Sequence, residues 1–159
     1  YLNTYAWDHV FWSETRFYMA FVMGAAMAIV MLSFMLGMYE NNKVNLGIYA
    51  GAGVVFLAAL FLVRSQVTVG DRSYMSAMIP HHSIAILTSE RSNIEDARVR
   101  ELANEIIRAQ RREIREMEWL IEDIARNGAA ETPAEAAQRP VPDFEGMTNA
   151  EKGDTPEGR

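Results

Sequence analysis

The chain has 159 residues, 50% of them hydrophobic, a formal net charge of -6 and no cysteine. That length holds about one ordinary domain, and the acidic balance offers no basic face, which argues for no nucleic acid partner. The missing thiols exclude disulfides, thiolate zinc sites, iron-sulfur clusters and thioether-linked haem, so any metal must rest on His, Met, carboxylate or amide groups.

The first residue is Tyr, so a fragment or a processed product is expected, and the sequence leaves open whether a signal or membrane helix comes before it. Residues 1–16 mix Tyr1, Tyr5, Trp7, Phe11 and Trp12 with Asp8, His9, Glu14 and Arg16. Amphipathic rings of this kind settle at a membrane-water boundary, so an interfacial aromatic segment is expected. His9 is either solvated beside Asp8 or part of a second metal or partner site.

Phe17 to Tyr39 carries no charge, and at ~1.5 Å per residue it reaches about 35 Å, beyond the ~30 Å hydrocarbon core. Val44 to Val63 is a second uncharged run, joined to the first through Glu40, Asn41, Asn42 and Lys43. Residues 17–63 are therefore predicted to be a two-helix transmembrane hairpin in contact with membrane lipid. Arg16 and Lys43 are too few to set its orientation.

Met19, Met23, Met27, Met31 and Met35 recur every fourth residue along the first span. They form either a thioether ladder for Cu(I) or, the stronger reading, flexible fillers of apolar packing. Ala20, Gly24 and Ala28, with Gly47 and Gly51 on the second span, have the spacing that lets membrane helices approach. They predict association within the hairpin or with another subunit.

Residues 64–127 are predicted to form a soluble helical hairpin. Asp71 can cap its first helix, which runs to about Ser92 with Pro80 near the middle; the second starts near Ile94 or Glu95 and stops at Asn127 and Gly128. From 128 to 159 the composition turns to Ala, Glu, Pro and Gly, predicting an extended Pro-rich tail that is disordered alone and ordered only on the surface of a larger assembly. The fold class is all-α.

At ~100° per residue, Met75, Met78, His82, Ile86 and Ser89 share one face of the first helix, with His81 beside it. On the second, Leu102, Ile106, Gln110, Glu113, Met117, Leu120, Ile121 and Ile124 share a face. Burying Gln110 and Glu113 costs about 1–3 kcal/mol each unless partners are provided. A buried Glu113–His82 pair would satisfy that requirement, and so would a metal. Thioether with imidazole favours copper over zinc. The candidate ligands are Met78, His81, His82 and Met117, with Met75 and Glu113 as alternates, and Gln110 and Asp71 behind them.

The run from Asp71 to Ile124 resembles the domain-of-unknown-function 305 family. The matching residues are Asp71, Met78, Ile79, His81, His82, Ala85 and Ile86, then Leu102, Ala103, Ile106, Gln110, Glu113, Ile114 and Met117. Where the family often places a Met after its Ala-Ile pair, this chain has Leu87. The resemblance implies a ferritin-like helical domain, copper association, and a bacterial inner-membrane anchor with the domain in the periplasm. The expected role is non-catalytic copper binding or buffering. Two helices bury too little alone, so a homo-oligomer in a four-helix bundle, or docking on another protein, is expected. The alternative is an accessory subunit of a larger respiratory or photosynthetic membrane complex. An enzyme ranks third, since no nucleophile-base pair, phosphate loop or nucleotide fingerprint stands out.

Overall fold

The computed structural model describes residues 3–148, and among them every regular element is helical. A 3-10 turn at Trp7–His9 precedes α1 (Glu14–Met35), α2 (Asn42–Ser65), α3 (Asp71–Arg91), α4 (Ala97–Asn127) and α5 (Pro133–Gln138). The chain divides into two compact units: Ser13–Ser73, and Tyr1–Trp12 together with Tyr74–Arg159.

In the first unit, α1 begins earlier than the uncharged run. The hydroxyl of Ser13 accepts from the Arg16 N–H at 3.2 Å, capping a turn that contains Glu14, Thr15 and Arg16. Asn41 caps α2 by accepting from the Lys43 and Val44 N–H groups, while buried Asn45 donates to the Tyr39 carbonyl at 2.9 Å and secures the connection. Gln66 ends α2 at φ 52, its N–H reaching the Leu62 carbonyl. Ser33 to Tyr49 at 2.7 Å and Tyr18 to Thr68 at 3.1 Å show that the two helices run antiparallel.

Both helices are long and apolar enough to cross a membrane. Their surface suits that, since Phe34 is 87%, Met23 69% and Leu57 66% exposed. The seam between them buries Ala25, Leu32 and Ala59. Met19, Met23, Met27 and Met31 face outward, so this stripe fills no gap between α1 and α2. The three glycines are not packed in it either: a Cβ built at Gly24, Gly47 or Gly51 meets nothing within 4 Å. Ala20, Gly24, Ala28 and Gly51 instead line an open apolar groove of about 690 Å³ with Phe17 and Phe21.

Asp71 is the first residue of α3 rather than its cap, and Pro80, in the second unit, is carried inside the helix without a break. Asp96 caps α4 by accepting from the Arg98 N–H at 2.8 Å. The Arg98 guanidinium on the same carboxylate holds Asp96 down to about 2. Gly128, at φ 79, closes the helix with its N–H on the Ile124 carbonyl. Contacts from Arg100 to the Ser89 carbonyl and from His82 to Glu113 show α3 and α4 to be antiparallel. Their core is Ile79, Ile86 and Ile114, with Met117, Ile121, Tyr5 and Phe11 packed against it.

The helix faces differ from the periodicity reading by about one residue. The buried positions on α4 are Ala103, Ile107 and Ile114, whereas Leu102 is 55% and Ile106 36% exposed. On α3 the centre is Ile79 and Ser83, both 0% exposed, so Met78 and His82 fall to its edge.

The tail is not wholly extended. Thr132 caps α5 by accepting from the Glu135 N–H, with Pro133 opening the helix. Beyond it, Arg139 pairs with Asp123 at 2.6 Å. Arg115 donates to the Glu145 carbonyl at 3.0 Å, and Arg111 donates to that of Met147. Gly146 lies so close to α4 that a Cβ there would overlap the Arg108 carbonyl, one position where glycine is required by space. The rest of the predicted tail, like Tyr1, lies outside the described residues.

Candidate metal centre

Across the α3–α4 seam, His82 Nδ1 stands 3.1 Å from Glu113 Oε2. The nitrogen is buried with no aligned hydrogen bond, so the contact is an electrostatic approach rather than a directed bond. Burial pushes the His82 imidazole below its ordinary value; Glu113 pulls it back up, and neighbouring His81 adds to the depression. The two imidazole centroids are 5.9 Å apart, with His81 exposed and His82 half-buried.

The sulfur positions follow from helix geometry. Met78 is one turn before His82 on α3, and Met117 one turn after Glu113 on α4. Because the helices are antiparallel, both steps lead to the same end of the seam. Met78 is half-buried and Met117 packs against the Ile79, Ile86 and Ile114 cluster. Met75 is 6% exposed, in the core line rather than at the edge. Gln110 is half-buried, one turn before Glu113. Asp71 is exposed in the first turn of α3, three turns ahead of His82, and so does not support the site.

Among the described residues no three His, Asp or Glu side chains gather closely enough to hold a metal ion. A hard cation therefore finds too few donors here. The groups present fit a soft ion, with a buried imidazole nitrogen that lacks a directed partner and thioethers one turn along each helix.

A second polar cluster was not foreseen from the sequence. Ser83 Oγ accepts from the Tyr5 N–H at 2.7 Å and lies 2.9 Å from His9 Nδ1. His9 Nε2 in turn is 3.9 Å from Asp8. Ser, His and Asp thus lie in sequence, with the hydroxyl fully buried and already accepting a backbone N–H. Arg111 binds Glu90 at 2.6 Å, stacks 5.7 Å from the Tyr5 ring centroid and reaches the tail at Met147. Tyr5, Asp8, His9, Arg111, Arg115 and Glu118 border a cavity of about 420 Å³. Burial raises the Glu118 carboxyl there, with His9 opposing. The first segment thus turns Tyr5 and Phe11 inward, while Trp7 and Trp12 stay 80% and 66% exposed. The one signal for this was His9, a histidine that the α3–α4 motif does not include.

Residues 65–155 match the family described as a domain of unknown function (DUF305). A protein of Acanthamoeba polyphaga mimivirus, the uncharacterized protein L153, is similar at 31% identity over 104 residues, covering 61% of this chain and 68% of the viral one. No solved structure matches.

Proposed function

This chain belongs to the DUF305 family, and on that premise we propose that it is a membrane-anchored, non-catalytic protein that binds or buffers copper. Its ferritin-like α3–α4 hairpin would face the periplasm of a bacterial cell, anchored in the inner membrane by α1 and α2. The observation that carries the reading is the approach of His82 to Glu113, with Met78 and Met117 at the same end of the seam. Imidazole and thioether donors select Cu(I), and the carboxylate balances its charge. His81, exposed beside His82, would serve as the donor that meets an arriving ion. Bound copper would supply no reaction here; the residues hold a soft ion away from water. A second copy completing a four-helix bundle would cover the seam.

The test is anaerobic titration of the detergent-solubilised chain with Cu(I) against a chromophoric competitor. Replacing Met78, His81 and His82 with Ala should weaken affinity at least tenfold. Unchanged affinity removes the proposal.

A second reading is favoured by the α1–α2 groove, whose glycine faces have open space at Gly24, Gly47 and Gly51. Such a face accepts another helix, as an accessory subunit of a larger respiratory or photosynthetic membrane complex would need. Native mass spectrometry of gently solubilised membranes tests it: a homo-oligomer with no foreign subunit speaks against it.

A further inference from the structure

The buried cluster around Ser83 is not used by the metal site, and its hydrogen bonds constrain where the protons can sit. Ser83 Oγ, at 0% exposure, accepts the Tyr5 N–H, and its own proton needs an acceptor. The helical hydroxyls of Thr88 and Ser33, by contrast, turn back on their own helix, to the carbonyls of Ile84 and Ile29. Ser83 turns instead toward the first segment, where His9 Nδ1 lies at 2.9 Å. With the Ser83 O–H donating to Nδ1, its one acceptor on that side, the imidazole is the neutral form with its proton on Nε2, the nitrogen on the side of Asp8.

We propose that residues 3–12 form an acid-released latch over the Ile79, Ile86 and Ile114 cluster, held shut by neutral His9 on the buried hydroxyl of Ser83. Imidazole is the side chain whose charge changes between pH 5 and 8. A proton on Nδ1 turns the contact into two donors facing each other. Ser83 must then accept from both Tyr5 and His9 and leave its own proton buried without a partner.

Charged groups of both signs face His9. Asp8 in its own segment and Glu118 on α4 favour the imidazolium. Arg111 and Arg115 on α4 oppose it, Arg111 being tied to Glu90 of α3. The donor conflict at Ser83 decides the outcome. Release frees Tyr5 and Phe11 from the cluster and opens the cavity bordered by Arg111, Arg115 and Glu118. The latch does not depend on copper, and its test is run on metal-free protein.

The experiment is hydrogen exchange of the full chain in detergent at pH 7.5 and 5.5, corrected for intrinsic rates and followed in peptides covering residues 3–12 and 107–117. Protection of residues 3–12, the Tyr5 amide above all, should fall about tenfold or more at pH 5.5 while 107–117 holds. His9→Gln should make it independent of pH. Ser83→Ala should lose protection at both pH values with the helical circular dichroism unchanged. A wild-type first segment equally protected at both pH values overturns the latch. So does an acid loss that persists undiminished in His9→Gln.

Discussion

Ile106 and Ile107 are adjacent, chemically identical and on one helix, yet the structure gives them opposite roles. Ile107 is 1% exposed and Ile106 36%. Truncating a fully buried Ile to Ala removes its transfer free energy and leaves a cavity, at about 2–5 kcal/mol. Ile106→Ala loses only partly buried carbon at an edge that solvent can refill, about 1 kcal/mol or less. With ~4–8 °C per kcal/mol for a unit of this size, Ile107→Ala should melt ~8 °C or more below the parent and Ile106→Ala less than ~8 °C below it. Thermal melts of the full chain in detergent, followed by far-UV circular dichroism at low protein concentration, measure both. Equal losses, or a larger loss for Ile106→Ala, would refute this assignment of the α4 face and restore the one that periodicity implies.

Two further outcomes are expected. The lowered pKa of His82 means that the unfolded chain binds its proton more readily, so stability falls as pH drops below ~6.5, the ordinary imidazole value; urea midpoints at pH 7.5 and 5.5 should separate, and more widely in Glu113→Gln, which removes the opposing carboxylate. A smaller separation in that variant would contradict the assignment. Gly146→Ala should displace the strap that Arg111 and Arg115 hold, raising the rate of proteolytic cleavage within residues 140–148 roughly tenfold with little change in melting temperature.

The helices were legible in the sequence because their signals are local. Uncharged runs marked α1 and α2, and Asn127 with Gly128 marked the end of α4 to within one residue. Asp96 capping moved its start only slightly from the expected position. The His82 and Glu113 contact was also within reach, since a carboxylate and an imidazole on facing helices both need a partner. Which residues would lie innermost was harder to read, because Ala103 and Ser83 are too small and too polar to stand out in a hydrophobic pattern beside Leu102 and Met78.

The chain's own order of residues thus determined an all-helical protein with two membrane-length helices and a pair bearing imidazole and thioether groups, since helix propensity, capping and hydrophobic runs act over a few neighbours. Tertiary packing alone decided that Tyr5 and His9 meet Ser83, across sequence separations of 78 and 74 residues, and that Leu102 faces out while Ala103 faces in. Contacts at such distances depend on how side-chain volumes fill one shared core, and no local pattern carries that information.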